Sequence, residues 1–291
     1  MLPRRIVLQS PLALAAKPTM TLSMHQFTSA AAGYRKALEG WAKAGIRQVE
    51  PSAVALDDFL KTDTLASAKR VLTDNGLTIV CGVPGVLGLI DPNPKFEQNL
   101  NTFKKRCEQF AALGAPIVYT PVGTSAKFAA EDYTRCIDNV RRVAETAREF
   151  NLKIAAEFVR NSTFLAALPT ALRLHRQVSH PNFGILFDCY HFWSGPSKFE
   201  DMDMIRPGEI IHAHLNDTPD LPWEQLDLIT RVIPGDGIAP LAKILRKLAD
   251  KGYTGPISVE LFAANFQQAD PFALATEIKR KSEALFKKAR L

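Results

Sequence analysis

The sequence predicts a single closed (β/α)8 barrel of the α/β class, and three observations predict it. Eight short β-rich runs alternate with amphipathic helical stretches from residue 19 onward, the order expected when helices cover a parallel sheet. Most of these runs are almost continuously apolar, as strands buried on both faces are. The 291 residues, 46% of them hydrophobic, contain no linker, charge block or low-complexity tract that would divide them, and such barrels commonly run to about 250 residues as one unit.

In chain order, the expected strands are residues 19–24, 46–50, 77–81, 117–120, 153–158, 183–188, 209–215 and 257–261. Between them, Tyr34, Leu38, Trp41 and Ala44 fall on one helical stripe, and Tyr133, Ile137, Val140, Ala144 and Ala147 on another. Gly45, Gly76, Gly114 and Gly252 each follow a helical run, where a left-handed cap is wanted. A last helix, 271–288, is expected to pack back on the outer ring. Residues 1–18 stand ahead of the barrel domain, 19–291. There Arg4-Arg5, then Ile6-Val7-Leu8-Gln9 and Leu12-Ala13-Leu14-Ala15-Ala16, have the pattern of a short twin-arginine export signal. The plain alternative is an extension ahead of the first strand of a cytoplasmic protein.

Composition removes several classes of function. The formal charge is +6, but it is dispersed, and the densest basic stretch, 279–288, belongs to a helix whose charges read as a solvated face. No nucleic-acid partner is expected. No apolar run approaches the roughly 18 residues that span a bilayer, so no membrane partner is expected either. Cys81, Cys107, Cys136 and Cys189 form no C-x-x-C pair, which argues against a disulfide framework or a thiolate zinc site. They read as free thiols in a reducing setting.

Working residues of such barrels lie at the C-terminal ends of the strands, so a polar residue ending an apolar strand is a site candidate. Glu50, Glu157, Asp188 and Glu260 meet that condition, as does the His212-Ala213-His214 run. Carboxylates are almost never buried unless paired or bound to metal. Several at one barrel mouth would repel one another, and a divalent cation removes that cost. Three carboxylates with an imidazole suit Mn²⁺, Zn²⁺ or Co²⁺, with Mg²⁺ also open. His212 and His214 point to the same side of one strand. The outer one, His214, is the better ligand, and His212 reads as a barrel-interior histidine. His175 and His180 lie in or after a helix and read as surface residues. His25 follows the first strand and is placed at the mouth as a substrate-binding candidate.

The segments Glu157-Phe158-Val159, Phe187-Asp188-Cys189-Tyr190-His191-Phe192, His214-Leu215-Asn216-Asp217, Arg231-Val232-Ile233-Pro234-Gly235-Asp236-Gly237 and Ser258-Val259-Glu260-Leu261-Phe262 resemble the xylose-isomerase-like sugar phosphate isomerase/epimerase family. Asp217-Thr218-Pro219-Asp220-Leu221-Pro222 and the Arg231 motif are most similar to its inosose (2-keto-myo-inositol) isomerases. The resemblance implies a TIM barrel with one divalent metal ion on Glu157, Asp188, His214 and Glu260. It also implies that Glu157 and Glu260 carry protons between neighbouring carbons of a polyhydroxy ketone while serving as ligands.

Such an isomerisation needs a polarised carbonyl, a base and an acid. His191 is expected to bond a substrate hydroxyl or assist proton transfer. Arg231 is expected to clamp substrate oxygens with its fork of donors. Glu50 and Asp217 are placed at the substrate site as partners that orient the ligands, although ordinary ion pairing would serve them equally well. The partner is a small polyol or keto-sugar, and a homo-oligomer is left open.

Other chemistries of this fold are weighed on the same residues. An abasic-DNA endonuclease would need further histidines, where this chain has Cys81-Gly82, Tyr119-Thr120-Pro121 and Asp236-Gly237-Ile238. A ketose 3-epimerase would carry an arginine where Asp220 stands. A dehydratase or other lyase acting on a keto-sugar, or an enzyme cleaving 3-keto-C-glycosides, would use the same metal site. A sugar-binding barrel without catalysis is disfavoured by the intact Glu157, Glu260 and His191.

Overall fold

The computed structural model describes residues 20–291, so the twin-arginine-like segment lies outside the described residues. Eight parallel strands form one sheet: β1 (Thr21–His25), β2 (Gln48–Glu50), β3 (Thr78–Ile79), β4 (Ile117–Val122), β5 (Lys153–Phe158), β6 (Phe183–Asp188), β7 (Ile210–Leu215) and β8 (Pro256–Val259). Their order, β3-β2-β1-β8-β7-β6-β5-β4, is closed by a parallel bridge from Gly82 to Val118. Helices α1 (Gly33–Lys43), α2 (Ala53–Leu60), α3 (Leu65–Asp74), α4 (Phe96–Leu113), α5 (Ala130–Arg148), α6 (Leu168–Val178), α7 (Cys189–Trp193), α8 (Leu241–Asp250), α9 (Ala264–Gln267) and α10 (Pro271–Ala289) complete the chain.

The main departures from the expected strands have local causes. β3 keeps only two laddered residues, and the chain then reaches β4 through Gly82, whose N–H donates to the Ile117 carbonyl at 2.8 Å. A Cβ on Gly82 would lie 2.5 Å from the Phe110 ring, so the seam closes only because that side chain is missing. β8 ends at Val259, one residue before Glu260. The Thr28 hydroxyl donates to the Val259 carbonyl at 2.9 Å and accepts from the Leu261 N–H at 3.0 Å. One side chain thus replaces the ladder on both sides of Glu260 and fixes it outside the strand.

A register shift sets the inward face of β7. Ile185 pairs with Ile210, but Leu186 pairs with His212, so Ile211 is the extra residue and Asp188 comes to lie beside His214. Without the shift Ala213 would stand there. Gly184 makes the room, since a Cβ on it would lie 2.6 Å from the Ile211 side chain. The helices seal the outside: Trp41, Phe103, Phe110, Leu172 and Ile244 are all fully buried. Gly114 ends α4 with a left-handed φ of 93°, as its place after the helical run predicts. No helix among the described residues is long and apolar enough to cross a membrane.

Candidate metal centre

Glu157, Asp188, His214 and Glu260 come from β5, the end of β6, β7 and the residue after β8. All four are buried, and each offers a ligand atom within 4.8 Å of every other. His214 Nδ1 lies 3.5 Å from Glu157 Oε1, 3.7 Å from Asp188 Oδ2 and 3.3 Å from Glu260 Oε2. Neither His214 Nδ1 nor Glu157 Oε1 has a hydrogen-bond partner. Two unpartnered buried acceptors among converging carboxylates describe a place for a cation, and the donor set fits a divalent ion.

Each member is held from behind. Asp188 caps α7, its Oδ1 accepting the His191 N–H at 2.7 Å, while Oδ2 accepts from Asn216 Nδ2 at 2.8 Å. Asn216 in turn accepts the Tyr190 N–H at 2.8 Å. Glu50 takes His214 Nε2 on one oxygen at 3.3 Å and His212 Nε2 on the other at 3.0 Å. With Nε2 of His214 engaged by Glu50, Nδ1 is the nitrogen that faces the cluster, where a proton or a metal ion can occupy it. Glu260 Oε1 accepts from the Tyr119 hydroxyl at 3.3 Å and faces His25 Nε2 at 3.4 Å. His25 Nδ1 accepts the Phe27 N–H at 3.2 Å, which leaves the ring proton on Nε2, directed at Tyr119 and Glu260.

Arg231 is buried and sandwiched, its guanidinium carbon 5.1 Å from the Tyr190 ring centroid and 5.0 Å from that of Phe262. It ion-pairs closely with Glu260, lies 3.5 Å from Asp188 Oδ2, and donates to His191 Nε2 at 2.9 Å. Burial lowers the His191 pKa to about 4, with Arg231 adding to the effect and Asp188 opposing it. Burial pushes the Glu157 carboxyl up to about 7, opposed by the neighbouring His214 imidazole and reinforced by Glu260 and Asp188. Burial would raise Glu260 as well, but His214, His25 and Arg231 hold it at about 2. Against its own burial, the His214 imidazole is held well above its usual value by Glu50, Glu260, Asp188 and Glu157. The wall therefore favours positive charge at its centre.

Of the remaining candidates, Asp217 is not brought to the cluster. Its carboxylate accepts backbone N–H groups from Thr218, Gly235, Gly237 and Ala239 at 2.8–3.1 Å, so it braces the loop that carries Arg231. Glu50 stands behind His214 with both oxygens engaged. His212 sits in the barrel interior against Glu50 and Ser258, while His175 and His180 are half-buried at the outer ring. His25–Glu50–His214 and Glu50–Cys81–His212 also converge. They share the committed Glu50, and burial holds the Cys81 thiol well above its usual value. Tyr119, Asn216 and Phe262 stand in the quoted sequence segments, but none was given a role from the sequence. Only Asn216, a polar residue just past an apolar strand, carried a signal that could have found it.

A cavity of about 330 Å³ opens beside His191, lined also by Val159, Arg160, Asp227, Leu228 and Ile229. A larger one of about 720 Å³, between α8 and α10, is lined by none of the cluster residues.

Known proteins similar to this chain share its fold family. The chain is 28% identical to an inosose isomerase of Halalkalibacterium halodurans over 237 residues, 80% of this chain and 84% of that one. It is 28% identical to a 3-dehydroshikimate dehydratase of Pseudomonas aeruginosa over 87% of this chain and 40% of the other. The crystal structure of IOLI protein with a bound zinc atom superposes with a TM-score of 0.85 at 22% identity, covering 93% of this chain and 99% of that one. The xylose isomerase-like TIM barrel model matches residues 38–287, and with its eight parallel strands this chain belongs to the xylose isomerase-like TIM barrel family.

Proposed function

We propose that this protein is a metal-dependent isomerase or epimerase of a polyhydroxy ketone, with an inosose-like substrate. The observation that carries the reading is the Glu157–Asp188–His214–Glu260 cluster, with two unpartnered ligand atoms at its centre. These four residues would hold a divalent ion, which would supply Lewis-acid polarisation of the ketone carbonyl. Glu157 and Glu260, from opposite ends of the ligand-bearing wall, take the proton beside the carbonyl and return one to the neighbouring carbon. Asp188 and His214 hold position, each already tied to a neighbour on its far side. Arg231 and His191 orient the substrate oxygens, and His25 lines the same mouth. The inosose isomerase relative supports the substrate class, and four buried free thiols fit a reducing compartment.

A dehydratase reading draws support from the 3-dehydroshikimate dehydratase relative, because proton removal beside a carbonyl also begins loss of water. Incubating the metal-loaded protein with keto-inositols, ketoses and a 3-dehydro acid in D2O, followed by NMR, separates the two. The isomerase reading expects deuterium at the carbon beside the carbonyl and an isomeric ketone. Loss of water without isomer would replace it with the dehydratase. Chelation should stop the reaction reversibly, and full turnover in chelator-stripped protein would sink both.

A further inference from the structure

Arg160, two residues past β5, draws together three loops that leave the barrel mouth separately. Its Nε donates to the Ser194 carbonyl at 2.9 Å, just past α7. One terminal nitrogen donates to the Leu226 carbonyl at 2.5 Å and the other to the Trp223 carbonyl at 3.4 Å, both in the long connection after β7. The guanidinium carbon also stands 4.9 Å from the Trp223 ring centroid. Gly195 lets this happen, since a Cβ there would overlap the His191 carbonyl and approach Arg160 Cβ to 3.3 Å.

That connection leads directly to the site. The Tyr190 hydroxyl donates to the Asp227 carbonyl at 2.6 Å and is 3.0 Å from the Thr230 hydroxyl. Arg231, the next residue, lies over the Tyr190 ring and reaches Glu260 and His191. Leu221, Trp223, Leu228 and Ile229 are exposed and of its large apolar side chains only Leu226 is buried, so burial of apolar side chains contributes little to holding this stretch. Beyond the bracing by Asp217 at its ends, hydrogen bonds to Arg160 and Tyr190 tie it to the mouth.

We propose that Arg160 is a positioning residue that straps the β7–α8 connection across the mouth and thereby sets Arg231 against Glu260 and His191. A planar fork can serve three carbonyls at once, whereas a lysine ammonium on a flexible stem cannot hold that geometry. The catalytic consequence rests on the isomerase reading; the strap rests on the loop geometry alone.

The test compares R160A and R160K with the wild type. Chymotrypsin should nick R160A after Trp223, Leu226 or Leu228 about tenfold faster, because local opening governs cleavage. In the D2O assay, kcat for R160A should fall about 100-fold, the scale set by small misplacements of catalytic groups, with KM changed far less. R160K should remain impaired, and added methylguanidinium should restore part of the R160A turnover where methylammonium does not. Nicking equal to the wild type overturns the strap whatever the enzyme acts on. Faster nicking with undiminished kcat overturns the positioning role and leaves the isomerase reading intact. A wild type that exchanges no polyhydroxy ketone counts against that reading instead, and the strap is then judged by nicking alone.

Discussion

The two halves of the barrel do different work. β5 to β8 provide Glu157, Asp188, His214 and Glu260, and these strands are mostly six residues long. β1 to β4 provide none of the four. They supply His25, Glu50 and Tyr119, whose polar atoms reach the ligands from behind, and they include the two shortest strands, of three and two residues. One wall presents the ligands and the other fixes their proton positions and angles. The contrast teaches that a centre of this kind depends on pairs of residues a hundred or more positions apart, such as Glu50 with His214.

Substitutions on the two walls should therefore fail differently. E157Q and E260Q, on the presenting wall, should each lower turnover by about 1000-fold or more, the scale of general acid–base catalysis, with thermal melting close to wild type. Isotope exchange into substrate measures it, and either variant turning over normally would remove that residue from proton transfer. E50Q, on the supporting wall, should weaken metal affinity by about 10–100-fold, because the His214 Nε2 proton loses its charged acceptor. Competition with a chelating dye reads this, and unchanged affinity would mean that Glu50 is merely a paired core residue.

G82A should cost about 1–3 kcal/mol of stability through overlap with the Phe110 ring, seen in denaturant unfolding, with metal affinity unchanged. A variant as stable as wild type would show that the ring can yield. Y119F should have the smallest effect, about 1 kcal/mol or roughly fivefold in kcat, by removing one donor from Glu260. A far larger loss would move Tyr119 from support to chemistry.

Much of the presenting wall was legible because its residues break an apolar pattern: Glu157 and Asp188 interrupt runs such as Ile154-Ala155-Ala156 and Gly184-Ile185-Leu186-Phe187. The supporting wall was legible only in part. Glu50 ends a short strand and could be nominated, but its bond to His214 spans 164 residues and leaves no trace in local periodicity. Tyr119 looks like any aromatic in a strand. Asp217 carries the same strand-end signature as the ligands, yet four backbone amides consume it, a use that depends on how the Gly235–Gly237 turn folds back. The shift at Ile211 was invisible for another reason: an apolar residue packed in the barrel interior reads the same with or without a bulge, and only Gly184 across the ladder betrays it.

The seam between β3 and β4, closed by the Gly82–Val118 bridge, has a consequence for motion. With so few ladder bonds there, opening costs least along that line. The line falls on the side of the barrel where no member of the cluster is mounted. Thermal breathing can then be discharged through the seam while the continuous β4–β8 sheet keeps the spacing of Glu157, Asp188 and His214. The barrel in effect carries its expansion joint opposite its instrument, and precision at the centre does not require rigidity all the way round.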